Sequence, residues 1–313
     1  MKSINKNILP WLILIIIGTL LIQYISKNIL SFKQLFLIGL KNPGFIILIG
    51  TIILIIIILN GILLKYLICP FRINLKNIEA FGLSIITKFY NLITPFRGGA
   101  VARAVYLNKK HDFPYIHFLA TLSAIYILIF LTSSIMGVIS MLSLLKENLF
   151  NTTIFITLST LSILLIIIII FSPKLKEVKN KWLNRFIKVI NGWHLIKNNK
   201  KIIIITIIIS LLQLFLIALN NLIAYHLFGI QITLAKALFI AAISNLSIIV
   251  AITPGNLGIG DAINVFIANM IGIPLTEAIA ATILLRAINL AVILILGPIF
   301  SYYLTKKNET NPK

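Results

Sequence analysis

The chain has 313 residues, of which 59% are hydrophobic and 11% are charged, and its mean hydropathy is +1.06. Soluble globular domains carry about 25% charged residues, so this composition excludes a soluble enzyme and a nucleic-acid-binding domain. It predicts an all-α polytopic membrane protein. The net charge of +21 comes from bases that lie between apolar runs. We therefore expect these bases to set the orientation of the helices and to contact anionic lipid headgroups.

Six apolar segments are long enough to cross a bilayer, which takes about 20 residues in a helix. They are 8–25, 43–64, 113–145, 153–171, 202–228 and 276–304. The first is longer than the apolar region of a signal peptide, and no small-residue cleavage site follows it before Lys27. We therefore interpret segment 8–25 as a retained transmembrane helix.

Two further apolar stretches, 81–96 and 234–273, are interrupted by Gly, Pro, Asn and Ser, and each contains an ionisable residue. Their similar cores, TPFRGG and TPGNLG, begin 159 residues apart, at Thr94 and Thr253. Paired interrupted segments in opposite halves of a chain are typical of inverted-repeat transporters. We expect both to be re-entrant, from opposite faces, although counting them as spans would give seven or eight transmembrane segments.

The distribution of Lys and Arg predicts the orientation. Segment 173–201 carries nine bases against one acid, which is typical of a cytoplasmic loop. Counting spans from that loop places both termini on the cytoplasmic side of the cell membrane. The sequence thus predicts a single integral membrane domain over 1–313, with repeat halves at 1–172 and 202–304.

The two interrupted cores are candidates for a binding site. Irregular backbone at membrane depth is tolerated only where protein or a water-filled cavity satisfies its polar groups, so we expect the cores to line a cavity whose N–H groups face an anion. Arg97 and Arg103 flank the first core. They either anchor the cytoplasmic side or clamp a lipid phosphate through the bidentate guanidinium. The remaining candidate positions in the cores are Asn91, Pro95, Gly99, Pro254, Gly255 and Gly258.

Arg286 lies ten residues from the start and eighteen from the end of the last apolar segment. An arginine at such depth costs at least about 2.5–3.5 kcal/mol, so it should face a partner or a cavity. Asp261 and Glu277 are the two acids in strongly apolar surroundings, and Asp261 is the better-placed partner. The pair either holds the last helix against the second core or contacts the substrate.

Other polar residues in apolar surroundings have several interpretations. Asn91, Asn245 and Ser247 either cap broken helices and line the cavity or form hydrogen bonds between helices. Lys88 and Lys236 are expected to extend towards a membrane interface. The sequence has no metal-ligand spacing, no nucleotide-binding P-loop and no paired-carboxylate cluster in a loop. We therefore expect no catalysis by this chain and no metal or cofactor.

The motifs resemble those of a known family. The stretch 91–107, NLITPFRGGAVARAVYL, resembles the first signature of the lysylphosphatidylglycerol synthase/flippase transmembrane family. TPGNLGIGD at 253–261, followed by LLR at 284–286, is similar to the second. The resemblance implies a flippase-like membrane domain without an aminoacyl-transferase domain. Some members move aminoacylated phosphatidylglycerol between leaflets, and others are associated with polyprenyl-linked sugars or hopanoid lipids.

Two positions depart from the family pattern. Ala100 stands where the family often has an acid, and Asn256 stands where it has a second glycine. An acid that would recognise a cationic headgroup is therefore missing at the first core.

We expect a lipid translocator that moves a phosphate-bearing lipid, either an aminoacyl-phospholipid or a polyprenyl-linked glycolipid. The alternative is a non-transporting membrane subunit that anchors or regulates a glycosyltransferase or a lipid-modifying enzyme. An ion-coupled carrier of small solutes is less favoured, because Asp261 and Glu277 are the only obvious coupling acids.

Overall fold

The computed structural model describes residues 41–172, 174–176 and 181–309, together with the single positions Thr19 and Leu37. Within these residues the secondary structure is entirely helical, with ten α-helices and no strand, which confirms the all-α prediction. The span predicted at 8–25 lies outside the described residues except for Thr19. The helices are α1 (Pro43–Ile68), α2 (Asn77–Ile93), α3 (Gly98–His111), α4 (Tyr115–Ser143), α5 (Thr152–Phe171), α6 (Lys181–Lys197), α7 (Lys200–Leu227), α8 (Leu234–Leu246), α9 (Ile259–Met270) and α10 (Leu275–Glu309).

Five helices are long and apolar enough to cross a membrane: Pro43–Phe71, Tyr115–Glu147, Thr152–Phe171, Lys200–Leu227 and Leu275–Lys306. They correspond to five of the six predicted spans, with boundaries that agree within a few residues except at the C-terminal end of the first. An apolar chain in hydrocarbon must satisfy its backbone hydrogen bonds internally, which the helix does. The chain is therefore a membrane-embedded helical protein.

Local sequence signals fix several helix starts. Pro43 begins α1, where its missing N–H has no helical partner in any case. The side chain of Asn151 accepts a hydrogen bond from Ile154 N at 3.1 Å and starts α5. Asn199 accepts from Ile202 N at 3.2 Å and starts α7 in the same way.

The helices pack as one bundle. α1 contacts α2 and α7, α4 contacts α5 and α8, and α10 contacts α2. A glycine allows the close approach of α1 to α2, since a Cβ on Gly61 would lie 2.9 Å from the carbonyl oxygen of Ala80. Small residues at helix crossings are the usual device for close packing in membranes.

Each interrupted segment is a pair of α-helices joined by a loop that contains short 3-10 turns. The first consists of α2, the loop from Thr94 to Arg97, and α3; the second consists of α8, a loop ending at Gly258, and α9. The two loops contact each other, and the backbone N–H of Phe96 donates to the carbonyl of Ile252 at 3.2 Å. The fold thus brings the two TP motifs together, although they lie half a chain apart.

The basic segment 173–201, predicted as a loop, contains helix α6. Trp193 and Ile196 of α6 are buried in a cluster with Ile125 of α4, and Trp193 Nε1 donates to Ser172 Oγ at 3.1 Å. Trp193 and Ile196 are three residues apart, which places them on one side of the helix. The high density of bases in this segment obscured that pattern.

Candidate functional site

The first loop is held in an unusual backbone conformation. Phe96 and Arg97 both have positive φ, 51° and 59°, which is rare for residues with a side chain. The loop leads directly into α3, where Gly99 N donates to Asn91 Oδ1 at 2.9 Å. Position 99 requires glycine, because a Cβ there would lie 1.9 Å from the carbonyl oxygen of Thr87. Asn91 therefore caps the second helix of its own segment, which was one of the two predicted roles.

The second loop is closed by its own polar residues. Asp261 Oδ2 accepts from Gly258 N at 3.0 Å and so caps the start of α9. Asn256 donates to Ser247 Oγ at 3.3 Å, and Thr253 donates to the carbonyl of Leu257 at 2.7 Å. Gly258 has a φ of 78°, which glycine adopts without strain.

Arg286 of α10 binds this second loop with all of its guanidinium nitrogens. Nε donates to Asp261 Oδ1 at 2.9 Å, Nη2 donates to the same oxygen, and Nη1 donates to the carbonyl of Gly255 at 3.1 Å. The structure confirms the predicted pairing of Arg286 with Asp261. Both side chains keep about a quarter of their surface exposed, 23% and 24%, because they face cavities.

Two adjoining cavities meet at Arg286. The amide cavity, of about 260 Å³, is bordered by Asp261, Arg286 and four asparagines from α7, α9 and α10: Asn220, Asn221, Asn264 and Asn289. The loop cavity, of about 210 Å³, is bordered by Asn91, Arg97, Gly255, Asn256 and Arg286. Three residues border both cavities: Lys88, Arg286 and Asn289.

Lys88 does not extend to an interface, contrary to the prediction. It lies between the two cavities and near Arg286. No residue in the described part of the chain forms a hydrogen bond or an ion pair with its ammonium. The reason is its place on α2, which packs against α10, so that position 88 borders both cavities. Lys236, in the first turn of α8, pairs with Glu147 at 3.0 Å.

The two arginines of the first segment lie in different places. Arg97 borders the loop cavity, donates to the hydroxyl of Tyr126, and has its guanidinium 5.0 Å from the centre of that ring. Arg103 is buried, with 9% of its surface exposed, and lies over the ring of Phe118 at 5.3 Å. Of the two predicted phosphate contacts, only Arg97 borders one of the described cavities.

The other predicted residues have mostly structural positions. Pro95, Gly99, Pro254 and Gly258 shape the two loops and do not border the described cavities. Asn245 donates to Ser133 Oγ at 3.2 Å and so joins α8 to α4, which was the interhelical role considered for it. Of the predicted site residues, those that border the cavities are thus Asn91, Arg97, Gly255, Asp261 and Arg286.

Sequence reasoning missed the asparagines of the amide cavity. Asn220 and Asn221 lie inside the apolar helix α7, and Asn289 follows Arg286 by three residues on α10. Polar residues inside a spanning helix usually face the protein interior or a water-filled cavity. That signal was present in the sequence, and the one-turn spacing of Arg286 and Asn289 would have placed them on one face.

A separate polar cluster closes the first helix pair. The buried carboxylate of Glu79, in the first turn of α2, accepts from Tyr106 Oη at 2.8 Å and contacts His111 Nε2 at 2.8 Å and Lys110 Nζ at 3.1 Å. Burial alone would raise the pKa of this carboxyl, but its hydrogen bonds with His111, Tyr106 and Lys110 lower the pKa to about 2. Within the described ranges, no group of three or more His, Cys, Asp or Glu side chains is placed to hold a metal ion.

The family model for the lysylphosphatidylglycerol synthase TM region matches residues 8–297. The chain therefore belongs to that family, as the two loop motifs predicted. No curated protein and no solved structure matches the chain. Family membership and the five long apolar helices together indicate a lipid-related function in a membrane.

Proposed function

We propose that this member of the family is a lipid translocator that moves a phosphate-bearing lipid between the two leaflets. The observation that carries the proposal is the contact between the two interrupted segments beside a pair of polar cavities. Secondary transporters bind their substrates where discontinuous helices of two repeats meet near the bilayer midplane. Here the Phe96–Ile252 hydrogen bond joins the loops, and Arg286 borders both cavities.

The size of the cavities suits a headgroup. Small-molecule sites occupy about 300–1,000 Å³, and the two adjoining cavities, of about 260 and 210 Å³, together fall within that range. The headgroup enters the polar cavities while the apolar chains stay in the bilayer. The amide and guanidinium groups then replace the water that the headgroup leaves, which offsets its desolvation cost.

Arg286 is the residue that couples binding to movement. In the conformation described, it holds the second loop through Asp261 and Gly255. A phosphate oxygen in the loop cavity is a stronger acceptor for Nη1 than the carbonyl of Gly255, because a charged acceptor strengthens the hydrogen bond. Binding would therefore break the contact of Gly255 with α10 and loosen the second loop where the two cavities meet, while the pair with Asp261 remains.

The proposal includes the topology that the distribution of Lys and Arg predicts. The two interrupted segments enter the membrane from opposite faces. The protein lies in the plasma membrane, and both of its termini are on the cytoplasmic side. The lipid partner carries an anionic phosphate. The chain itself acts without an enzymatic step.

Reconstitution tests the proposal directly. The full-length protein is placed in liposomes that contain fluorescent phospholipids, and a membrane-impermeant quencher is added outside. We expect the protein to expose inner-leaflet lipid to the quencher, and the Arg286→Lys variant to lose this activity. Quenching equal to that of protein-free liposomes would contradict translocation. A glycosyltransferase or lipid-modifying enzyme that loses activity without this protein would then favour the subunit alternative.

A further inference from the structure

The geometry points to a headgroup with net negative charge and no cationic group, bound by Lys88 at the junction of the two cavities. The inference rests on the proposed translocation and adds the chemical class of the substrate. It selects a phosphate ester with a neutral, hydroxyl-bearing part, such as phosphatidylglycerol or a polyprenyl phosphate sugar. It excludes an aminoacylated lipid such as lysylphosphatidylglycerol.

The charge of the loop cavity supports an anionic headgroup. Lys88, Arg97 and Arg286 border it, and no carboxylate does so among the described residues. The amide cavity has two of these cations and the single carboxylate of Asp261. An anion entering either cavity therefore meets an excess of positive charge at short range, where low dielectric strengthens the attraction.

Asp261, the one acid among the described residues that border the cavities, already accepts hydrogen bonds through both of its oxygens. Asp261 Oδ1 accepts from two nitrogens of Arg286, and Oδ2 accepts from Gly258 N at 3.0 Å. The ammonium of an aminoacylated lipid would have to displace one of these donors. Glu277, the other acid in apolar surroundings, lies nine residues before Arg286 on α10, more than two helical turns away. No free carboxylate at the described cavities is placed to receive a cationic headgroup.

Among the charged residues that border the two cavities, Lys88 has no partner in the described part of the chain. Its ammonium lies near Arg286, which repels it, and it makes no hydrogen bond with the described residues. By contrast, Lys236 forms an ion pair with Glu147. Two neighbouring cations in a partly enclosed site are unfavourable unless an anion lies between them. A phosphate at the junction would accept from both Lys88 and Arg286.

The neutral part of the headgroup fits the amide cavity. Asn220 Oδ1 and Asn221 Nδ2 are buried and have no hydrogen-bond partner in the described structure, and both residues border this cavity. One is an acceptor and the other a donor. A hydroxyl group both donates and accepts, so it suits a cavity that is lined by amide groups. Glycerol and sugar headgroups carry such hydroxyls next to the phosphate.

The test compares lipids that differ in charge. The full-length protein is titrated in detergent with phosphatidylglycerol, a polyprenyl phosphate hexose and lysylphosphatidylglycerol, and inorganic phosphate and pyrophosphate serve as soluble anions. We expect at least one of the two anionic lipids to bind about tenfold more tightly than the lysylated lipid or either soluble anion. Lys88→Gln should weaken that binding about tenfold or more, because a charged hydrogen bond is lost, and Lys88→Arg should largely restore it.

Lys109→Gln is the matched control. It removes the same charge from an exposed position on α3, and it should leave binding unchanged. Thermal melting of each variant shows whether it is folded. Lys88→Glu adds a carboxylate at the junction, so it should shift the preference towards lysylphosphatidylglycerol.

The outcomes separate the inference from the proposed function. If lysylphosphatidylglycerol is bound and moved as well as the anionic lipids, the inference is wrong and translocation stands. If anionic lipids bind through Lys88 but no lipid moves in liposomes, the headgroup chemistry is supported and translocation is wrong. If pyrophosphate binds as tightly as the lipids, the site takes a soluble anion and the inference is overturned.

Discussion

Arg286 on the last helix and Asp261 at the start of α9 form an ion pair in which two guanidinium nitrogens donate to one carboxylate oxygen. The other oxygen of Asp261 caps α9 through Gly258 N. One carboxylate thus fixes both the start of a helix and the position of that helix against α10. Loss of the pair should therefore disturb the second loop and its packing against α10, in addition to removing one ion pair.

Arg286→Leu should lower the free energy of unfolding by about 3 kcal/mol. This is the low end of the effect of breaking a buried pair, since about a quarter of each side chain is exposed. Unfolding in denaturing detergent measures the change. Adding Asp261→Asn should recover much of the loss, because an amide oxygen still accepts from Gly258 N and no unpaired charge is left. A double variant as unstable as the single one would contradict the structural role of the pair.

Arg286→Lys separates stability from function. Lysine keeps the positive charge near Asp261 but lacks the planar fork that reaches Asp261 and Gly255 together. We expect a folded protein with a small loss of stability and little lipid movement in liposomes. Full transport by Arg286→Leu would show that the arginine has neither role.

Gly99→Ala should destabilise the first loop by about 1–3 kcal/mol, the usual cost of overpacking. The new methyl group would lie 1.9 Å from the carbonyl oxygen of Thr87, so the hydrogen bond from Gly99 N to Asn91 would be displaced. Gly44→Ala is the control, because nothing lies within 4 Å of a Cβ at that position. Equal melting temperatures for the two variants would contradict the tight packing at position 99.

The sequence predicts the parts of this protein that depend on local composition. The bilayer requires long apolar helices, so hydropathy found five spans, and the depth of Arg286 pointed to a charged partner. The burial of Trp193 in α6 was missed because the surrounding bases dominate that segment. The place of Lys88 was missed because hydropathy gives the depth of a residue but not the neighbour that its helix face meets. That information depends on how helices distant in sequence pack.

The polar cluster of Glu79 with Tyr106, Lys110 and His111 should make the free energy of unfolding depend on pH in the acid range. The folded pKa of this carboxyl is about 2 against an ordinary value of 4.5, so its contribution is complete above about pH 4.5. The contribution is lost as the pH falls towards 2, and it amounts to about 3 kcal/mol at most. Glu79→Gln should be less stable at pH 7 and should show a weaker loss between pH 4.5 and 2. Parallel pH curves for the two proteins would contradict the depressed pKa.

Cysteine labelling tests the opposed entry of the two loops. The single exposed cysteine, Cys69, is first replaced by serine. Phe96→Cys should then react with a membrane-impermeant reagent added to the cytoplasmic side, since 55% of Phe96 is exposed and its segment enters from that side. Asn256→Cys should react from the outside, more slowly, because Asn256 is only partly exposed beside the loop cavity.

Two exposed positions provide references for the same labelling experiment. Lys41→Cys, just before α1, should react from outside, and Lys76→Cys, just before α2, should react from the cytoplasm. The two loops are in contact through the Phe96–Ile252 hydrogen bond. If they react from opposite sides of the membrane, the barrier between the two aqueous sides is only as thick as this contact. Such a thin barrier is what an alternating cavity needs between its two openings. Labelling of both loops from one side, with the references unchanged, would contradict the inverted repeat.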